Sequence, residues 1–123
     1  ERGQALLDAG RDAVRAGAVA ELIRADMAFH MHIYELSGNR LYVDVMGQLW
    51  NHLRRVMREV LQYRGTRKTI WTEHEQILRA IGEGDAEAAA TLSRAHLVNA
   101  AANVKLALPR LPAAESPVQP AVR

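Results

Sequence analysis

Apolar positions recur three and four residues apart along most of the chain and nowhere alternate with polar ones, so the pattern is helical throughout. "ERGQALLDAGRDAVRAG" has this spacing at Leu6, Leu7, Ala13 and Val14, with a break at Gly17. A second helix is predicted over about 18–36, ending at "SGN", where Gly38 can take the left-handed conformation that closes helices. A third covers about 40–63, with Leu49, Trp50, Leu53, Val56, Met57, Val60 and Leu61 as its apolar arc. "RGTRK" at 64–68 reads as the connection to a fourth helix over about 68–81, closed by "GEGD". Asp85 is placed to cap a last long helix that runs to about Leu108 and stops at Pro109. The fold class that follows is all-α: an antiparallel bundle of about five or six helices over residues 1–108. The remainder, 109–123, holds all four prolines and little to bury, and is expected to be extended or disordered.

Composition narrows the picture. At 123 residues the chain supports one core, and 49% hydrophobic against 5% aromatic residues makes that core aliphatic. Without cysteine, neither disulfides nor thiolate–metal sites are available. No apolar run approaches the roughly 18 residues of a membrane span, and no signal peptide is visible, so the expectation is a cytoplasmic protein with no membrane partner. The net charge is only +2, and the densest basic groups, "RRVMRE" at 54–59 and "RGTRK", read as a solvated helix face and a loop. No recognition helix rich in base-reading side chains is present, so no DNA-binding residue is assigned in this chain.

"RADMAFHMHIYELSGN" at 24–39 sets an acid and two histidines in an apolar stretch. With Leu22 at zero and about 100° per residue, Phe29, Ile33 and Leu36 fall within about 40° of it, while Ile23, Met27 and Tyr34 widen the arc. Asp26 falls at about 40° and His30 at about 80°, inside the arc, whereas His32 falls at about 280° and is expected on the surface. Taken alone, Asp26 and His30 read as a hydrogen-bonded core pair. His74, in the stripe Ile70, Ile77, Leu78 and Ile81, also points inward, as does His96 with Leu92 and Leu106. His52 stands at the margin of the third helix's arc and is left out. Three inward imidazoles and one inward carboxylate form a donor set for a divalent ion, with zinc favoured and nickel, manganese, iron or cobalt also suited. Asn99 and Asn103 follow His96 on its face, where they line either a wet pocket or an oligomer contact. Arg54 borders the third helix's arc, positioned either to reach an anion or to extend outward.

The same residues carry a family resemblance. "DMAFHMHIYELSGNRLY", "EHEQILRAIGEGDAEAA" and "SRAHL", together spanning about 18–97, resemble in order and separation the motifs of the effector-binding C-terminal (FCD) domain of GntR-type transcriptional regulators of the FadR subfamily. The resemblance implies one divalent metal held by Asp26, His30, His74 and His96, which helps bind a small carboxylate effector in a cavity enclosed by the bundle. It implies a homodimer, and DNA binding only through an N-terminal winged helix-turn-helix of the parent protein. That domain and the first bundle helix are expected upstream, because the chain opens inside a helical pattern without an initiator Met. Arg54, Asn99 and Asn103 are added as effector contacts from their facing alone. Two rival readings are a metal-dependent hydrolase and a metal-free structural bundle. Hydrolysis needs a general base beyond Asp26, and Glu73 and Glu75 stand about 100° to either side of His74. The chain is therefore read as a non-enzyme with no catalytic residue.

Overall fold

A computed structural model describes residues 1–110 and contains five α-helices. These are α1 (Arg2–Ala16), α2 (Val19–Leu36), α3 (Arg40–Val60), α4 (Arg64–Gly82) and α5 (Ala86–Ala107), followed by a single 3-10 turn at Leu108–Arg110. Among the described residues there is no strand, and no helix is long and apolar enough to cross a membrane. The expected tail lies outside the described residues from 111 onward.

Links of two or three residues force each helix to turn back on its predecessor. Gly17 and Gly38 enable two of these reversals, both at φ 69°, where a side chain on the Cα would be strained. Asn39 accepts a hydrogen bond from the Tyr42 amide and Asp85 one from the Ala88 amide, capping α3 and α5. The helices close into a ring: α1 packs on α2 and α4, α2 on α3, and α5 joins α3 to α4. Gly10 sets the closeness of α1 and α4, since a Cβ there would stand 2.1 Å from the Trp71 ring. Inside the ring, Leu7, Leu22, Phe29 and Leu61 are fully buried, and so is one polar side chain, His74.

Two boundaries differ from the periodicity reading. α3 ends at Val60, and "RGTRK" is the first turn of α4. Gly65 does not break a first turn, and Arg67, buried there, donates to the carbonyls of Leu61 and Gln62, which closes α3 early. Leu36, Leu49 and Leu106, assigned to buried arcs, are exposed. They sit at helix ends or on the outer faces of α3 and α5, which no neighbour among the described residues covers.

Candidate metal centre

Asp26 and His30 lie one turn apart on the face of α2 that also carries Leu22 and Phe29, so burying the apolar residues carries both polar ones inward. Asp26 is 2% exposed, and the His30 side chain 13%. His74 rides on the buried stripe of α4, its ring stacked on Phe29 at 4.2 Å and edge-on to Trp71 at 4.8 Å. His96 enters from α5, its ring 5.2 Å from that of His30 and 4.8 Å from that of His74. The result is a cluster of three imidazoles, each offering a ligand atom within 4.8 Å of the others. Asp26 Oδ1 stands beside it, 3.5 Å from His74 Nε2 and 3.7 Å from His30 Nε2.

Burial disfavours the charged forms of His74, His30 and Asp26. Burial drives the His74 pKa well below the ordinary histidine value. Burial, and to a smaller extent His96, lowers His30 to about 3. Burial raises Asp26 to about 7. The approach of Asp26 to His74 is close enough for an ion pair but not aligned as a hydrogen bond, and both His74 ring nitrogens lack a hydrogen-bond partner. Each such buried group costs roughly 1–3 kcal/mol. Three imidazoles gathered in a buried cluster are the kind of donor set that a borderline cation binds. The 3.3 Å between His30 Nε2 and His96 Nε2 equals the spacing of about 3.3 Å expected for two nitrogens at roughly 2.0–2.1 Å from one tetrahedral ion.

The sequence reading missed Glu73. Its Oε2 lies 2.7 Å from His96 Nδ1, and its Oε1 accepts from the Asn99 side-chain amide at 2.6 Å. With Nδ1–H donating to this carboxylate, the neutral ring turns a bare Nε2 toward the cluster. Glu73 stands to one side of the α4 stripe, and α5 crosses α4 there and brings His96 to it. The one available signal was an acid adjacent to an inward histidine.

His32 is also corrected. Its side chain is only 11% exposed and its Nδ1 has no hydrogen-bond partner, because α1 covers that flank at Gly3. Of the proposed effector contacts, Asn99 reaches the centre through Glu73. Arg54 is exposed and donates to Asn51, and Asn103 lines a different pocket with Val60, Tyr63 and Thr66. A pocket of about 140 Å³ opens directly over His30 and His96, with Tyr34, Tyr42, Ser93 and Met46 among its lining.

The model of the FCD domain family matches residues 1–99. Neither a curated protein nor a solved structure matches the chain.

Proposed function

Because this chain belongs to the FCD family, the effector-binding domains of GntR-type transcription regulators, we propose that it senses a small carboxylate through one divalent metal ion held by Asp26, His30, His74 and His96. The observation that carries the reading is His74: a fully buried imidazole, with both nitrogens unpartnered, beside two more imidazoles and a carboxylate. A hydrogen-bonded polar core would satisfy that ring, and this one leaves it free to coordinate. Zinc fits the N3O set best. When bound, the ion supplies a Lewis-acid anchor for a carboxylate oxygen.

The chain's own residues do the rest. Glu73 holds the His96 tautomer, Phe29 and Trp71 hold the plane of His74, and the pocket over His30 and His96 admits an acid of a few carbons. Tyr34, Tyr42 and Ser93 supply hydroxyls to its lining and take the effector role that facing had assigned to Arg54 and Asn103. α2, α3, α4 and α5 all contribute to that lining, so an occupant bridges helices whose packing then reaches a second subunit and the DNA-binding heads of the parent protein. Coupling of this kind requires unequal affinity for two arrangements, typically about 1–3 kcal/mol.

The test is elemental analysis of untagged, dialysed protein, followed by a carboxylate screen with and without metal. About one equivalent of a transition metal per chain, with carboxylate binding only in the loaded protein, is expected. Absence of metal, together with no response to added zinc, nickel or manganese, would refute the reading.

A further inference from the structure

The end of α3 and the start of α4 are rich in basic residues. Residues 50–70 carry Arg54, Arg55, Arg58, Arg64, Arg67 and Lys68 against a single acid, Glu59. Arg67 is 7% exposed, and among the described residues no carboxylate pairs with it or with Arg58. Its Nε donates to the Leu61 carbonyl and its Nη2 to that of Gln62 at 3.2 Å. Among the described residues no acceptor is bonded to its Nη1, which lies beside the α1–α2 turn, 3.9 Å from where a Cβ on Gly17 would stand. That turn opens α2, whose N-cap is Ala18, a residue with no side-chain acceptor for the first-turn amides. Glu21, the acid of that turn, is already engaged by Arg24.

Arg58, Gln62 and Arg67 form one wall of a cleft of about 530 Å³, and Val19, Ala20 and Ile23 form the other. A guanidinium withdrawn from water and met only by neutral carbonyls has lost solvation that an anion restores. We propose that this cleft binds a small oxyanion, a carboxylate or a phosphate, between Arg67 Nη1, Arg58 and the first-turn amides of α2. The aliphatic wall suits an acid carried on a short apolar body. The site stands nearly two helical turns from Asp26 and does not depend on the metal reading.

The test is a ¹H–¹⁵N titration of chelator-treated protein at constant ionic strength in chloride, with inorganic phosphate and, separately, hexanoate. Saturable shifts at the Val19 and Ala20 amides and at Arg67 Nε are expected with at least one of them. Arg58→Gln and Ala20→Glu, both at exposed positions, should each weaken binding about tenfold or more, the worth of one charge-assisted contact. Arg67 is left intact because it also closes α3. Response to phosphate alone identifies a phosphate site, to hexanoate alone a carboxylate site, and to both a general oxyanion site. Shifts that are absent, that rise linearly with concentration, or that persist in both variants would overturn the proposal.

Discussion

Replacing His74 with leucine should move stability in opposite directions with and without metal. In chelator the wild-type ring keeps two unpartnered nitrogens in a fully buried position, at a cost of roughly 1–3 kcal/mol each. Leucine removes both. It also forfeits the stack on Phe29 and the edge contact with Trp71, worth roughly 0.5–1.5 kcal/mol each. The balance favours the His74→Leu variant by roughly 1–3 kcal/mol in chelator, which for a domain of this size raises Tm by about 5 °C or more. Zinc at about 1,000 times its Kd stabilises the wild type by about 4 kcal/mol, and the variant not at all, so the ranking reverses. The assay is urea unfolding of both proteins at pH 7, in chelator and in buffered excess zinc. If the variant is the weaker protein in chelator by more than about 1 kcal/mol, the imidazole is a satisfied core residue and the argument from orphaned nitrogens fails. Equal stabilisation of both proteins by zinc would remove His74 from the coordination set.

Three further outcomes are expected. Glu73→Gln should lower zinc affinity about 10- to 100-fold by releasing the His96 tautomer, measured by competition with a chromophoric chelator; unchanged affinity would show that His96 needs no such support. Gly10→Ala should destabilise the fold by roughly 2 kcal/mol in urea melts, because a methyl 2.1 Å from a rigid buried indole outweighs the helix-propensity gain of about 1 kcal/mol; a neutral or stabilising result would mean that α1 is free to move off Trp71. Metal-free protein should gain stability as pH rises from about 4 to 6.5. In that window the unfolded chain holds protons on His30 and His74 that the fold excludes, while the fold holds one on Asp26 that the unfolded chain has lost. The net is one proton, or just over 1 kcal/mol per pH unit, and Asp26→Asn should steepen the slope toward two; a slope of opposite sign in urea melts across this range would sink the assignment.

What the sequence determined by itself is what one helix can decide. Facing depends only on local geometry, since a helix that buries Leu22 and Phe29 must also bury Asp26, and one that buries Ile70 and Ile77 must bury His74. The five helices, the cap at Asp85, and the inward turn of all four polar residues follow from that. Tertiary packing decided everything that depends on where a second helix passes. His32 is covered because α1 lies across it, and Glu73 enters the centre because α5 crosses α4 at that level. Arg54 and Asn103 stay away from the centre although their facing allowed an approach. The outer apolar residues of α3 and α5 are exposed because no neighbouring helix reaches them, and Arg67 is buried because its guanidinium closes the end of α3. Periodicity sets the direction in which a side chain points, but the crossing of helices sets what it meets.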